Sequence, residues 1–307
     1  MSYFIRTNIT PPQVWKIESD TAALLGVANP ECCPGGYFKA QPGETIWDAI
    51  KRGTPWFEPA GENPFIPTHL EPGEYYPRMA RPHGHGIGLW TSWCPDAEHH
   101  TNSIALARGQ LAALTRQLDR ICQTIHPSNK TFDTFGHDIR NLLILACTEV
   151  ESHWRAVLIA NNIRKDRYNT QDYVRLRRAM RLDEYAVSFP KYPWIEAMRP
   201  FSGWGNSSCP TQDLKWYDAY NAVKHARETE FERGTLRHVF EAISGCATMM
   251  AAQFAIQLEL ERRPEFESFF HFSEVPTWEL SEIYLPPCAG TDLAWRQRNY
   301  DFLPPYS

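Results

Sequence analysis

The 307-residue chain has neither a long apolar run nor a strong excess of one charge. None of its apolar stretches approaches the ~20 residues that a membrane-spanning helix needs. The formal net charge is −5 at pH 7. This charge argues against nucleic-acid binding over most of the surface, but it is compatible with a local basic patch. We therefore expect a globular protein with no membrane partner.

Regular cysteine spacing is also missing. The eight cysteines are scattered, and the first residues, MSYFIRTNITPPQVW, lack the apolar core of a secretion signal. Chains of this length without such a signal usually keep their thiols reduced. The sequence therefore predicts a cytoplasmic protein without a disulfide framework.

The motifs of several large enzyme classes are absent. The chain has no phosphate-binding G-x-x-x-x-G-K-[ST] loop, no nucleophile elbow, no H-E-x-x-H pair and no dinucleotide fingerprint. Kinase, common hydrolase and dehydrogenase activities therefore have no motif to support them, and we expect no cofactor.

Helical periodicity dominates the middle of the chain. Its clearest apolar stripe is Ile104, Ala107, Leu111, Leu114, Leu118, Ile121 and Ile125. Similar spacing predicts helices at about 103–126, 134–162, 212–231 and 234–258, with a long insertion at 163–211. Helices that each carry one apolar stripe bury those stripes best as a bundle.

The two ends of the chain differ from the middle because they contain most of the 24 prolines. They also lack regular period-2 runs, which would indicate a separate sheet. We therefore expect a Pro/Gly/Trp-rich irregular wrapping segment at 1–100, a helical bundle at 101–260 and an acidic, Pro-rich tail at 261–307. The predicted fold class is mainly α.

One predicted helix places Asn221, Lys224 and His225 within two turns. Glu149 lies beside the apolar stripe of the preceding helix and would meet Lys224 or His225 if the two helices face each other. Because buried charges need partners, these groups are expected to form a hydrogen-bonded cluster. The cluster either fixes the packing of the helices or is catalytic. In the catalytic case His225 is the acid or base, Asn221 supports it, and Lys224 or Arg227 holds a phosphate-like charge.

A dense basic group follows the second predicted helix. Its members are Arg164, Lys165, Arg167, Arg175, Arg177, Arg178 and Arg181. Such a density suits the backbone of RNA or DNA, although a solvated helix face has the same composition. If the bundle acts on RNA, we expect the strand to lie here.

Histidine and cysteine concentrate near the end of the first region. The residues are His83, His85, Cys94, His99 and His100. Zinc accepts both residue types in tetrahedral sites, but this spacing matches no zinc finger or knuckle, and the sequence HGHG is typical of a turn. We therefore predict no metal site, and a zinc-dependent hydrolase is kept as a third alternative.

Two segments together resemble the HEPN superfamily, the higher eukaryotes and prokaryotes nucleotide-binding domains. They are HDIRNLLILACTEVESHW (137–154) and WYDAYNAVKHARE (216–228), and the resemblance covers about 103–258. It implies a bundle of four to five helices that is frequently a homodimer. Many members are metal-independent endoribonucleases of toxin–antitoxin or antiviral defence systems. Others are inactive and bind nucleotides or partner proteins.

Active members of this superfamily carry an arginine, a polar residue, a short spacer and a histidine. Around His225, Asn221 or aromatic residues stand where the arginine would be, while a formal Arg-x4-His runs from Arg233 to His238 with Gly234 after the arginine. The resemblance implies an RNA-directed protein of bacterial defence or toxin type. Its activity is either endonucleolytic, through His225 and its neighbours, or that of a non-catalytic binding or scaffold module with a regulatory protein partner.

Overall fold

The computed structural model describes residues 2–54, 57, 62–84, 89–205, 208–255, 260, 262–264, 266 and 268–302. The strands are β1 Ser2–Arg6, β2 Gln13–Ile17, β3 Thr21–Leu24, β4 Tyr37–Lys39, β5 Phe65–Pro67, β6 Glu74–Tyr75, β7 Arg81–Gly84, β8 Leu89–Trp93, β9 Ala186–Ser188, β10 His271–Glu274 and β11 Arg296–Gln297. The helices are α1 Ile46–Gly53, α2 Thr101–Thr124, α3 His137–Ala160, α4 Thr170–Tyr173, α5 Leu176–Met180, α6 Pro210–Asp213, α7 Lys215–His225, α8 Arg227–Glu230 and α9 Leu236–Phe254.

The fold is mixed α/β, so the predicted mainly α class with irregular ends is wrong. Residues from the supposed wrapping segment form a five-stranded antiparallel sheet of order β4-β3-β2-β1-β5, and the supposed tail contributes β10 and β11. The strands of the large sheet are three to five residues long, too short for their alternation to stand out. Strand β5 also joins the sheet from far along the chain, with Phe65 opposite Arg6. Strand pairing of this kind is decided by tertiary context rather than by local pattern.

The chain divides into two compact units. The sheet unit comprises Met1–Tyr76, Arg81–Pro95 and Thr277–Arg298. The helical unit comprises Pro77–Ala80, Asp96–Pro276 and Asn299–Ser307. Because each unit is assembled from separate stretches of the chain, neither corresponds to a single continuous segment of sequence.

An aromatic core holds the large sheet to α1 within the sheet unit. Trp15 of β2 is fully buried, and its ring lies 5.7 Å from Phe38 and 5.9 Å from Phe65. Helix α1 begins with a capping box, in which Thr45 and Asp48 each accept a hydrogen bond from the other's backbone N–H. The helix then buries its apolar face in the same core.

Three of the long helices in the helical unit lie close to their predicted positions. These are α2, α3 and α9, although Leu258, at the predicted end of the last one, lies outside the described residues. The helix predicted at 212–231 is interrupted. Helix α7 ends at His225, because Ala226 leaves the helical region with φ −131° and ψ 53°, and α8 begins at Arg227.

Helices α3 and α9 run parallel at the centre of the helical unit. Two hydrogen bonds fix their register. The Cys246 thiol donates to the Ala146 carbonyl at 3.3 Å, and the Gln253 amide contacts His153, the partners being 100 positions apart in both cases. Helix α9 is buried on all sides and also packs against α2 and α7. A helix that is apolar all round is the expected central element of such a core.

Trp154 of α3 is the hub of the helical unit's aromatic core. Its ring is fully buried and lies 4.9 Å from Tyr173, 5.1 Å from Trp204 and 5.3 Å from Tyr217. Tyr173 and Trp204 belong to the insertion 163–211, and Tyr217 belongs to α7. The insertion is therefore packed into the core through its aromatic side chains.

We predict that Trp154→Ala lowers the free energy of unfolding by about 3–5 kcal/mol, because it removes the ring that these three side chains share. The control is Leu106→Ala, which truncates a side chain that is 76% exposed on α2 and should change stability by less than ~0.5 kcal/mol. Urea unfolding followed by far-UV circular dichroism measures both. Equal effects of the two substitutions would contradict the central role of Trp154.

Candidate functional site

Two polar side chains of α7 are hydrogen-bonded within that helix. Asn221 donates from Nδ2 to the Tyr217 carbonyl at 3.0 Å. Lys224 donates from Nζ to the Tyr220 hydroxyl at 2.7 Å, and its ammonium group lies 4.8 Å from the centre of the same ring. Each side chain therefore turns back one helical turn, and both satisfy groups of their own helix.

A second contact joins α7 to α3. The Tyr217 hydroxyl donates to Glu151 Oε1 at 2.5 Å, and burial together with this hydrogen bond raises the Tyr217 pKa. The hydrogen bond to Tyr220 raises the Lys224 pKa, and burial raises the Tyr220 pKa. At neutral pH these tyrosines are protonated and Lys224 is charged. We call Glu151, Tyr217, Tyr220 and Lys224 the α3–α7 clasp.

His225 and Arg227 lie outside this clasp. Both are exposed, His225 at the last position of α7 and Arg227 at the first position of α8. Within the described part of the chain, neither side chain makes a hydrogen bond or an ion pair. A general base is normally held by a second group, and no described side chain holds His225.

The end of α7 is instead fixed by an arginine of α3. Arg140 donates from Nε and Nη2 to the Val223 carbonyl at 3.2 and 2.9 Å. A cation at a helix C-terminus favours the local dipole and satisfies a carbonyl that the helix leaves unpaired. Arg140 therefore positions the chain immediately before Lys224 and His225.

Glu149 belongs to a different group of polar residues. Its Oε1 atom lies 3.4 Å from His153 Nε2, without the geometry of a hydrogen bond. Among the described residues, no ion pair joins Glu149 to Lys224 or His225, so the cluster expected from the sequence is divided between two places. The carboxylate of α3 that bonds to α7 is that of Glu151, two positions further along.

A directed series of hydrogen bonds leads through the core from Arg78 to His153, whose Nε2 lies beside Glu149. Arg78 Nε donates to Gln253 Oε1 at 2.8 Å, which leaves the Gln253 NH2 group to donate to the Met249 carbonyl and to His153 Nδ1 at 2.9 and 3.0 Å. His153 Nδ1 must therefore be an acceptor. The proton of the neutral ring is then on Nε2, the atom nearest Glu149. We call Arg78, Gln253, His153 and Glu149 the Arg78–Glu149 chain.

Burial keeps the imidazole of His153 uncharged. Desolvation, with a smaller contribution from Arg78, lowers the His153 pKa to about 3. Desolvation raises the Glu149 pKa. The imidazole is therefore neutral under ordinary conditions. The hydrogen bonds of the Arg78–Glu149 chain hold α3, α9 and the segment Pro77–Ala80 together.

The basic residues after α3 divide into two groups. Lys165 pairs with the buried Asp172, and Arg175 donates to the Phe302 carbonyl. Arg177 donates to the Gly205 carbonyl at 2.6 Å, and Arg181 lies 3.2 Å from Glu184. The side chains of Arg164, Arg167 and Arg178 are exposed instead. Among the described residues, these three have no hydrogen-bond or ion-pair partner.

The formal Arg-x4-His pair is committed to local contacts. Arg233 pairs with Asp218 and lies 3.4 Å from Glu230. His238 Nδ1 donates to the Arg233 carbonyl at 2.8 Å, and burial lowers the His238 pKa. The two residues are close because of the turn between α8 and α9, and the guanidinium of Arg233 faces carboxylates.

The candidate metal ligands are distributed over both units. His83 and Cys94 belong to the sheet unit, where the His83 ring lies 5.3 Å from Trp93. His99 and His100 belong to the helical unit, where His100 Nε2 lies 3.2 Å from Asp96. His85 lies outside the described residues. No group of three or more metal-ligating side chains occurs in the part of the chain that the structure describes.

The sequence did not predict most of the residues that form the α3–α7 clasp and the Arg78–Glu149 chain. His153 could have been found, because it is four positions after Glu149 and so shares its helix face. Glu151 lies two positions after Glu149 in the segment HDIRNLLILACTEVESHW, and it is not among the residues predicted for the cluster. Arg78 and Gln253 gave no signal, because Arg78 lies in a Pro-rich stretch and reaches α9 only through the tertiary fold.

We predict that His153 makes stability depend on pH. The unfolded chain takes up a proton near the ordinary His pKa of 6.5, and the folded protein does so only near 3. Between these values the unfolded state binds more protons, so stability falls as the pH is lowered, by at most ~1.4 kcal/mol per pH unit from this group. Above the higher value this contribution has no slope.

The comparison is with His153→Gln, which keeps a hydrogen-bonding side chain without the titration. Urea unfolding of both proteins between these two pH values should give converging free energies of unfolding as the pH falls. Glu149 affects the pH dependence of stability in the opposite direction, because its pKa is raised in the folded protein. This effect is present in both proteins, so it cancels in the comparison. Parallel curves would show that His153 is not held neutral.

Comparisons with known proteins leave the chain's own geometry as the basis for a function. No protein-family model, curated protein or solved structure matches this chain. No helix in the described part of the chain combines the length and the apolar character needed to cross a membrane.

Proposed function

We propose that this chain is an RNA-directed, HEPN-like protein of bacterial defence or toxin type that acts by binding rather than by cleaving. The single observation that carries the binding role is the use of the α7 polar residues. Asn221 and Lys224 are bonded within α7, and Tyr217 joins that helix to Glu151. Side chains committed in this way specify helix packing, and none of them holds His225 for proton transfer.

The exposed arginines after α3 support RNA as the ligand. Arg164 and Arg167 follow the end of α3, and Arg178 lies on α5. All three are exposed, whereas the other basic residues of this segment are bonded internally. Basic side chains without internal partners are free to neutralise phosphates, which supplies most of the affinity in binding without sequence preference.

A metal-independent endoribonuclease is the second candidate. The observation that favours it is the exposure of Lys224, His225 and Arg227 within four positions of the chain. An RNA strand lying there would meet one imidazole and two cations, the groups that acid–base cleavage through the 2′-hydroxyl requires. In that case the RNA itself must orient His225.

The location and the partners belong to the same proposal. All eight cysteines are free thiols, as in a reducing cytoplasm. A homodimer and a regulatory protein partner are proposed from the HEPN resemblance. The resemblance concerns the helical unit, where α2, α3, α7 and α9 pack together.

We predict that Arg164→Ala/Arg167→Ala/Arg178→Ala weakens the binding of single-stranded RNA. Three lost phosphate contacts should reduce the slope of log K against log salt concentration by about 2. Fluorescence anisotropy with a labelled oligonucleotide, at several salt concentrations, measures the slope. The matched control is Arg116→Ala/Lys130→Ala/Lys215→Ala, which removes the same charge from exposed positions elsewhere in the helical unit. An equal reduction in both triple variants would argue against a specific basic surface.

The two candidate activities predict different results for purified protein and mixed RNA in EDTA. If the protein only binds, the RNA stays intact with the wild type and with His225→Ala. Cleavage by the wild type and not by His225→Ala would favour the endoribonuclease. Because His225 is exposed and has no described partner, this substitution should leave thermal stability unchanged, so a loss of cleavage would report on chemistry.

A further inference from the structure

A cleft of about 570 Å³ opens between the second half of α2 and the start of α3. It is separate from the α3–α7 clasp and from the exposed arginines after α3. Its apolar walls include Ile121 from α2, Ile125 directly after α2 and Leu145 from α3. Phe135, just before α3, also lines it, and Phe135 and Leu145 are both 43% exposed. The volume and the mixture of walls suit a small aromatic ligand.

Two opposite charges remain available in this cleft. Arg120 and Asp138 both line it and both are exposed. Among the described residues neither makes an ion pair, with the other or with a third group. Asn141 adds an amide whose Oδ1 accepts from Arg140 at 3.3 Å, so that its NH2 group is the part left for a ligand.

These groups select the chemistry of the ligand. A flat ring can stack against the exposed face of Phe135, with the aliphatic side chains of α2 on the other side. A carboxylate such as Asp138 accepts best from two adjacent N–H donors. Guanine presents such a pair in N1–H and the 2-amino group, whereas adenine has an acceptor at N1. Arg120 then meets an anionic group of the same ligand, such as a phosphate.

We propose that this cleft binds the guanine ring of a nucleotide, with Phe135 as the stacking surface, Asp138 as the acceptor for the ring N–H groups and Arg120 as the partner of the phosphate. As a site for a guanine of RNA, the cleft rests on the RNA-directed function proposed above, whereas as a site for a free nucleotide it does not need that function.

A second exposed aromatic surface adjoins the cleft and distinguishes these two sources. Trp194 is 52% exposed and stacks on His126, with ring centres 5.0 Å apart. Its indole N–H donates to the Pro127 carbonyl at 2.7 Å, which fixes the ring. His126 directly follows Ile125, a residue of the cleft wall. In an RNA strand, the base next to the guanine would stack on Trp194, whereas a free mononucleotide has no second base to place there.

The first experiment is isothermal titration calorimetry of the full chain with GMP and AMP. GMP should bind about tenfold more tightly than AMP. Asp138→Asn should lose that preference by weakening GMP alone, and Phe135→Ala should weaken both nucleotides about tenfold, because stacking does not depend on the base. Arg120→Ala should weaken GMP and leave guanosine unchanged. The control is Arg116→Ala, an exposed arginine of the same helix that does not line the cleft.

The proposal is overturned if GMP does not bind, or if Asp138→Asn binds GMP as tightly as the wild type. Thermal melting of each variant checks that it is folded, and little loss is expected because the changed side chains are exposed.

The second experiment uses a labelled RNA pentamer with a central guanine or adenine. Trp194→Ala should weaken the guanine pentamer and leave GMP unchanged if RNA is the source. RNA binding that is unchanged by Phe135→Ala and Asp138→Asn, together with no binding of GMP, would overturn the cleft proposal and leave the RNA-directed function standing. GMP binding in the cleft without binding of either pentamer would keep the guanine site, as one for a free nucleotide, and remove the RNA-directed function.

Discussion

The packing of aromatic rings around Trp154 is the constraint on which the helical unit depends. This ring sits on α3, and its neighbours come from the insertion through Tyr173 and Trp204 and from α7 through Tyr217. Large rings bury much apolar area and accept only a few relative orientations. Once they are in place, the insertion can no longer move as a free loop, and α7 is held beside α3. Removing the central ring would disturb all three elements, since interiors are close-packed and transmit strain.

Polar groups in this unit adapt to that packing. Tyr217 contributes its ring to the aromatic core and its hydroxyl to Glu151, so one side chain serves both purposes. Between α3 and α9, the hydrogen bonds from Arg78 to Gln253 and from Gln253 to His153 Nδ1 fix the tautomer of His153 in a similar way. Buried polar groups must be paired, and here the pairing uses residues that would otherwise suggest catalysis. What remains for a ligand lies at the surface, in the exposed arginines after α3 and in the cleft beside Phe135.

The candidate site shows how far local pattern extends. Spacing along α7 was enough to place Asn221 and Lys224 near each other, because helical geometry fixes neighbours at three and four positions. It could not say which residue of α3 faces them, since Glu149 and Glu151 are both close to the apolar stripe. The choice depends on the rotation of α3, which the burial of Trp154 and Val157 decides. Arg78 could not be predicted for a different reason. Its hydrogen-bond partner, Gln253, lies 175 positions away in the sequence.

By itself the sequence determined the long helices α2, α3 and α9, since the apolar period of an α-helix is a local property that needs no partner. It also determined that the middle of the chain packs as helices on helices. Only the tertiary structure decided the five-stranded sheet, because strands of three to five residues gain their stability from neighbours that are distant in sequence. It likewise decided where α7 stops and which carboxylate meets it. The packing of the aromatic rings decided which polar groups meet each other. No local sequence pattern encodes that packing.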